Sequence, residues 1–266
     1  MDKFMSIPIG QRTYQPFGDL IIALPPKPKV ADYRRELDLD AAVARTRYRC
    51  GDVLFTREAF ASHPDQLIAW RIAADRPGSI SFTARLESPH RSASARACAP
   101  DELALAGDVA PNGVRFEARI KAIADGGKVI ANDKGIRIEG ANAATLLLVG
   151  ASSFKNFRDI SGDPTTLCEA AMRAAAAKPY AELLAAHQED HRALQVGARK
   201  VFGFIGQAAI IKPVAGLTLQ QDAQDGIAVQ IHRHLCRRDR DRLAFRLRRS
   251  LAGGLRQHRV RMEGQT

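Results

Sequence analysis

The sequence predicts a mainly β protein, an antiparallel two-sheet β-sandwich followed by helices, on three observations. From residue 18 to residue 151 apolar residues recur at every second position. Clusters of Gly, Pro, Asn and Asp interrupt that pattern at short intervals. No segment of helical period intervenes before residue 164. Alternation sends successive side chains to opposite faces of a pleated strand, so a run with one apolar and one polar face is a half-buried strand. Many such strands without crossover helices pack as antiparallel sheets, face to face.

In chain order, strands are expected at 18–24, 33–39 and 42–50. A hairpin over Gly51-Asp52 leads into a run from Val53, since Gly accepts the positive φ of a tight turn. Further strands are expected at 67–74, 79–86, 102–107, 114–123, 135–139 and 144–151. In 79–86, Ile80, Phe82, Ala84 and Leu86 share a face opposite Ser79, Ser81, Thr83 and Arg85. In 114–123, Val114, Phe116, Ala118, Ile120 and Ala122 oppose Arg115, Glu117, Arg119 and Lys121. The segment 87–100, rich in Ser, Ala and Arg, reads as a loop or an irregular edge strand. Trp70, within a strand, is assigned to the core. Turns fall at Arg76-Pro77-Gly78, Pro111-Asn112-Gly113, Asp125-Gly126-Gly127 and Asn132-Asp133-Lys134-Gly135.

After Ser161-Gly162-Asp163-Pro164 the composition turns to helix formers through Leu194. Asp163 is placed to cap the first helix and Pro164 to open its first turn. Pro179 divides the segment into two helices. In the second, Tyr180, Leu183, Leu184, His187, His191 and Leu194 form one stripe, which requires a partner surface. Beyond Gln195 no period persists. Residues 201–219 read as a pair of strands, and Leu235, Leu243, Leu247 and Leu251 as one face of a basic helix. The expected organisation is a partial sandwich domain over 1–152, a helical linker over 153–194 and an anomalous Arg-rich tail over 195–266.

The net charge of +11 suggests a nucleic-acid binder until it is divided along the chain. Residues 196–266 hold 14 Lys plus Arg against 5 Asp plus Glu, which leaves only +2 for the first 195 residues. From Arg233 onward there are 11 Arg and no Lys. Aromatic stacking partners are nearly absent there, with Phe245 alone after Arg233. A basic nucleic-acid or membrane-surface binder through 233–261 is therefore a subordinate reading, and neither nucleic acid nor membrane is an expected partner. No apolar run approaches the roughly 20 residues of a membrane-spanning helix. The first residues lack the apolar stretch of a signal peptide, so the chain as written is expected in the cytoplasm. Cys50, Cys98, Cys168 and Cys236 lie far apart and read as free thiols.

The candidate chemical groups are few. His187 and His191 sit four apart on a helix, a metal-ligand spacing, but Gln188 stands where a zinc peptidase has its Glu. Packing or capping is the better reading. His232, His234 and Cys236 alternate as ligands on a strand would, without a second cluster to complete a site. Asp38, Asp40, Glu58 and Asp65 are candidates for the two carboxyl groups that glycoside cleavage requires. None is tied to a partner by local sequence, so solvated or turn-capping roles are expected. Arg45, Arg47 and Arg49 read as a solvated sheet face. No residue is assigned as catalytic, cofactor-binding or metal-ligating, and no cofactor is expected.

Taken as a set, YQPFGDL (14–20), YRRELDLDAAVARTRY (33–48), FTREAFASHPDQLIAWRI (55–72), ADRPGSISF (74–82), NGVRFEARI (112–120), ANAATLLL (141–148), SFKNFRDISGDP (153–164) and KPYAELLAAHQEDHRAL (178–194) resemble the N-terminal domain and linker helix of the α-L-fucosidases of glycoside hydrolase family 95. The resemblance covers about 180 residues in order. It implies inverting hydrolysis of terminal α-L-fucosyl linkages, with a fucosylated oligosaccharide as the ligand of the intact enzyme. Intact members of the family are commonly exported. Their chemistry resides in an (α/α)6 barrel that supplies a general acid Glu and an Asn/Asp pair, and no residue here matches those positions. The resemblance further implies that the opening strands of the domain precede Met1, so the chain is expected to expose core surface and to aggregate. The alternative is a carbohydrate-binding or scaffolding module. The oligomeric state is left open by the sequence.

The switch to Lys-free, Arg-rich composition after Leu194 suggests an out-of-frame translation of a GC-rich gene. Sequencing the encoding DNA checks this: a single-base shift near the Leu194 codon is expected to restore a family-like continuation, and a frame that restores nothing refutes it.

Overall fold

The computed structural model describes residues 16–26, 29–202, 227–233 and 243–249. Its strands are β1 (Gly18–Ala23), β2 (Val30–Asp38), β3 (Val43–Cys50), β4 (Val53–Ser62), β5 (Leu67–Ala74), β6 (Ile80–Glu87), β7 (Ser94–Ala99), β8 (Glu102–Asp108), β9 (Arg115–Asp125), β10 (Lys128–Asn132), β11 (Gly135–Ala141) and β12 (Ala143–Ser152). Helices α1 (Pro164–Ala176) and α2 (Tyr180–Phe202) follow, then β13 (Ile227–Arg233) and β14 (Leu243–Arg249). All pairings are antiparallel. The larger sheet runs β2-β3-β4-β5-β12-β9-β8-β7; the smaller runs β10-β11-β6-β1 and is extended at β1 by β13 and β14.

The core between the sheets is the apolar half of each alternating strand. Ile80, Phe82, Ala84 and Leu86 of β6 and Phe116, Ala118, Ile120 and Ala122 of β9 are all at most 5% exposed, as their period-two spacing requires. Leu20, Ile22, Ile136, Ile138, Leu146 and Leu148 join them. Trp70 is core, packed edge-on against Phe82 with ring centroids 5.4 Å apart, and Phe17 stacks on Phe116 at 5.1 Å.

Two glycines serve the connections, one through its positive φ and the other through a close backbone approach as well. Gly51, at φ +57°, closes the β3–β4 hairpin so that Cys50 pairs with Val53. Gly127, at φ +70°, sits where the chain passes from β9 in one sheet to β10 in the other; a Cβ there would lie 2.3 Å from the Glu139 carbonyl oxygen.

The structure adds β10 and β13 to the strands expected from the sequence and settles the reading of β7. β10 occupies five residues between two turn signals. β7 lies in the segment read as a loop or irregular edge strand, and it is the latter: it pairs only with β8, at the sheet edge, with a register shift between Ala97 and Ala99. The basic helix expected from Leu243, Leu247 and their neighbours is corrected. Residues 243–249 are a strand paired to β13, and the sequence Leu-Ala-Phe-Arg-Leu-Arg-Arg alternates in a way that the four-residue leucine spacing obscured. The strand pair expected over 201–219 lies outside the described residues apart from 201–202, which end α2.

Helix boundaries follow their local chemistry. The Asp163 carboxylate accepts from the backbone N–H of Thr165 (3.1 Å) and Thr166 (3.4 Å) and from the Thr166 hydroxyl (2.6 Å). Pro164 opens the first turn, and Pro179 stands in the gap between α1 and α2. α2 continues beyond Leu194 to Phe202, through Gln-Val-Gly-Ala-Arg-Lys-Val-Phe, in which Ala, Arg and Lys favour helix and Gly197 does not.

The hydrogen bonds from Thr166 and Thr165 hold the Asp163 carboxyl below the ordinary carboxylate range. A depressed folded-state pKa stabilises the fold above the unfolded value of about 4 and loses that stabilisation as pH falls through the folded value. Asp163→Asn is therefore expected to be less stable than wild type at neutral pH, with a gap that shrinks as pH falls below the unfolded value and through the depressed folded one. Thermal unfolding followed by far-UV circular dichroism reads this, and a gap independent of pH overturns it.

Candidate functional site

The outer face of the larger sheet is where charged side chains converge. On β9 the odd-numbered residues point away from the sandwich core, as the alternation requires, but the sequence reading of that face as polar and solvated fails in part. α1 lies across it, and Glu117 and Arg119 are 1% and 5% exposed. Arg119 donates from Nε to Glu117 Oε1 (2.5 Å), from Nη2 to Glu169 Oε1 (2.8 Å) and from Nη1 to Glu102 Oε1 (3.3 Å). The Thr165 hydroxyl donates to Glu117 Oε2 at 2.7 Å, so both oxygens of the buried carboxylate are engaged. Lys121 extends the cluster to Asp101 and Glu102. Burial opposes charge on Arg119, yet the bonds to Glu117 and Glu169 outweigh it and hold the guanidinium above its ordinary pKa.

Beside this ionic half lies an apolar half. Val43, Phe60, Leu67, Ala69, Leu147 and Val149 of the sheet meet Cys168, Met172, Ala175 and Leu183 of the helices. The α1 contribution was legible as a helical stripe, since Thr165, Cys168, Glu169, Met172 and Ala175 recur at three- and four-residue spacing. That stripe mixes Glu with Met and Cys, and this was the available signal that β9 would present charge and β12 apolar surface to one helix.

A second polar group anchors α2. The Tyr180 hydroxyl donates to Glu58 Oε2 (3.0 Å), whose other oxygen accepts from Arg45 Nε (2.8 Å). Arg45 also reaches Glu36, and the Arg71 guanidinium lies over the Tyr180 ring while donating to Thr145. Burial, then the nearby Glu58 charge, pushes the Tyr180 phenol well above its ordinary range. The solvated-face reading is thus corrected for Arg45, which is tied into the helix contact; Arg47 is exposed as expected, and Arg49 is 43% exposed at its side chain.

The remaining candidates take structural roles. Asp38 Oδ1 accepts from the backbone N–H of Asp40 and Ala41, a turn cap. Asp65 accepts from Lys178 Nζ (2.8 Å) and the Ser62 hydroxyl (2.7 Å), fixing the end of α1 to the β4–β5 turn. His187, 6% exposed, stacks on Phe60 and places Nε2 3.1 Å from the Ala42 carbonyl oxygen. His191 Nε2 lies 2.8 Å from the Leu39 carbonyl oxygen. Both nitrogens act as donors to those oxygens, so the pair caps the β2–β3 turn. Of the stripe on α2, only Leu194 is fully exposed, at 52%. Cys50, Cys98 and Cys168 are free thiols. His234 and Cys236 lie outside the described residues, as does the side chain of His232.

A groove of about 310 Å³ opens at the N-terminus of α1, lined by Ser92, Asp108, Arg115, Phe116 and Asp163 among others. Its polar groups are largely spoken for: Ser92 bonds the Asp108 backbone in both directions, Arg115 donates to the Gly162 carbonyl (2.8 Å), and Asp163 caps the helix. The bonds named for Ser92, Arg115 and Asp163 hold the loop and the start of α1 in place.

Three comparisons bear on the whole. The model of the N-terminal domain of glycosyl hydrolase family 65 matches residues 2–157. "Alpha-L-fucosidase 2" of Arabidopsis thaliana is 31% identical over 211 residues, covering 68% of this chain and 25% of the plant protein. "Probable alpha-fucosidase A" of Aspergillus niger is 30% identical over 118 residues, covering 43% of this chain and 14% of the fungal one. A solved structure, "Putative kojibiose phosphorylase from human microbiome", superposes with a TM-score of 0.46 at 13% identity, over 65% of this chain and 27% of the other. The chain spans a quarter or less of the length of the two curated relatives.

Removing the cation from the buried cluster tests its weight. Arg119→Met is expected to cost about 3–5 kcal/mol in urea unfolding, because Glu117 stays buried without a countercharge, and adding Glu117→Gln recovers part of the loss. A cost below about 1 kcal/mol, the range of an exposed pair, contradicts the assignment.

Proposed function

The chain belongs to the family of glycosyl hydrolase family 65 N-terminal domains, and from that premise we propose that it is the N-terminal β-sandwich portion of an α-L-fucosidase, whose intact form hydrolyses terminal α-L-fucosyl linkages of oligosaccharides. The observation that carries the proposal is the likeness to a plant α-L-fucosidase over 211 residues, in company with ordered motifs from residue 14 to residue 194. The family model carries the number 65 and the motifs resemble family 95; both describe the N-terminal domain of a glycoside hydrolase.

The geometry supports a division of labour. Glycoside cleavage with inversion sets two carboxyl groups about 6.5–9.5 Å apart, one to protonate the leaving oxygen and one to activate water. Both oxygens of Glu117 and of Glu58, and both of Asp65, already accept hydrogen bonds from neighbours that hold the helices in place. A carboxylate so engaged is a poor general base, since taking a proton breaks the contacts that position it. The chemistry then falls to the part of the enzyme beyond the span of this chain.

A carbohydrate-binding module is the second reading. It calls for an aromatic platform exposed on a sheet face; Trp70, at 4% exposure, does not supply one, and of the exposed aromatics Tyr33 lies on edge strand β2 and Phe157 on a loop. The third reading, a basic binder through residues 233–261, rests on a segment of which only 243–249 is described beyond Arg233.

The purified chain is expected to release no fucose from a 2′-fucosylated oligosaccharide, as followed by chromatography of the free sugar. Catalytic release by this chain alone overturns the division of labour.

A further inference from the structure

At the β2 end of the larger sheet, the face that elsewhere forms the sandwich core carries a row of cations. Arg35 on β2 pairs with Thr46 on β3, which pairs in turn with Arg57 on β4. Residues paired across antiparallel strands send their side chains to one face, so the three stand side by side across two strand spacings, about 10 Å. Tyr48, two residues along from Thr46, fixes which face this is, because its ring belongs to the core between the sheets. Arg35 is exposed, Thr46 and Arg57 are half-buried, and the neighbouring Tyr33 and Leu37 are 45% and 63% exposed. The row is therefore open on its β2 side.

Arg57 is held in place without a countercharge. Its guanidinium lies 4.7 Å from the centroid of the Tyr48 ring and donates from Nη2 to the Tyr48 hydroxyl at 2.6 Å. That ring in turn stacks on Phe55 (5.3 Å between centroids) and on Tyr33 (6.5 Å). Burial pushes the Tyr48 phenol above its ordinary range, against the pull of Arg57, so at neutral pH it stays a neutral hydroxyl and cancels none of the cation's charge. Arg57 Nε is enclosed, with no hydrogen-bond partner among the described residues. A cation withdrawn from water ordinarily meets a carboxylate. The arginines of the opposite face do so: Arg45 meets Glu36 and Glu58, and Arg119 meets Glu102, Glu117 and Glu169. Among the described residues neither Arg35 nor Arg57 has an ion pair, and Glu36 and Glu58, their neighbours in sequence, point to that other face.

We propose that Arg35, Thr46 and Arg57 form a binding site for a sulfate or phosphate group, either the free ion or an ester carried on a sugar. The charge calls for a dianion, since two guanidinium groups share one row with no carboxylate between them. The donor set calls for a tetrahedral oxyanion: a guanidinium on either side supplies N–H groups, and the hydroxyl of Thr46 supplies a further donor from the strand between them. The span suits such a group, because two long side chains rooted about 10 Å apart can close on it above the residue that separates them. Arg57 is already fixed against Tyr48, so the entropy lost on binding falls mainly on Arg35. The site is read from β2, β3 and β4 and does not depend on the fucosidase reading.

The test titrates the full chain by calorimetry with sodium sulfate, sodium phosphate and glucose 6-phosphate, against sodium chloride at matched ionic strength. Saturable binding of one oxyanion per chain is expected. It should weaken about tenfold or more with Arg35→Gln and with Arg57→Met, and stay unchanged with Arg47→Gln, an exposed cation on the opposite face. Methionine keeps much of the apolar stem of Arg57 against Tyr48. Arg35→Gln alters an exposed side chain and should keep the wild-type melting temperature, so binding lost there is not a loss of fold. Tighter binding of glucose 6-phosphate than of inorganic phosphate assigns the site to a sugar-borne group, and equal or weaker binding assigns it to the free ion; either supports the proposal. No saturable binding, or binding that both substitutions leave intact, as the Arg-rich segment after Arg233 would give, overturns it. So does equal weakening by Arg47→Gln, the mark of net charge and not of a site.

Discussion

Burial of both faces of one sheet organises this molecule. The larger sheet meets the smaller sheet through a largely apolar face, interrupted where Arg57 lies over the Tyr48 ring and bonds its hydroxyl. Its other face is covered by α1 and α2, and there the cover is mixed. A half-apolar sheet face cannot be left wet over β12, where Leu147 and Val149 sit at 0% and 2% exposure. Covering them with a helix also covers the neighbouring strand β9, which carries Glu117 and Arg119. The ion cluster follows from that adjacency. Two charges are removed from water, and three carboxylates and a hydroxyl must satisfy them. Such clusters add little net stability over apolar packing, but they penalise any other register strongly. Glu169 and Thr165 meet their partners at a single docking position of α1. The cluster therefore fixes where the helix lies more than how tightly it is held.

The same logic extends along α2. Tyr180, Lys178, His187, His191 and Gln195 each direct a polar atom at a group in the β2–β5 region: Glu58, Asp65 and the carbonyls of Ala42 and Leu39. Those carbonyls lie in the β2–β3 turn, where ladder pairing stops and backbone oxygens need other donors. The two histidines, whose spacing suggested metal binding, answer that need. A helix otherwise rich in Ala and charged residues is thus held by specific contacts at both ends of its docked length.

What the sequence made legible is what a two-residue period encodes. Ten of the strands, the turns at Gly51 and Gly127, the Asp163 cap and the break at Pro179 all rest on local rules of backbone and side-chain direction. What it hid is what local rules leave undefined. Alternation separates the two faces of β9 without telling whether the charged face meets water or a helix. Arg45 and Arg47 alternate identically in the sequence, yet one is tied to Glu58 under α2 and the other is exposed. β10 escaped because it lies tightly between two turn signals, and β7 was read only as a loop or an irregular edge strand because its pairing is broken between Ala97 and Ala99. Phe157 escaped because a single aromatic in a polar loop has no pattern at all.

These features also explain how the family is recognised here. Motifs recognisable along 180 residues are largely the apolar alternations, turns and caps of the sandwich, and they identify a domain by its architecture. Carboxylates are abundant on the helix-covered face, and in another setting Glu58 and Glu117 would be natural candidates for acid and base. In each, one oxygen accepts from the Tyr180 or the Thr165 hydroxyl, and each bond is part of a helix contact. Freeing either carboxylate for proton transfer would release the helix that it positions. The ionic groups of this domain are thereby committed to holding the outgoing helix pair at a fixed position on the sheet, and the direction in which the chain leaves the sandwich is set by the same residues that a search for catalysis would first select.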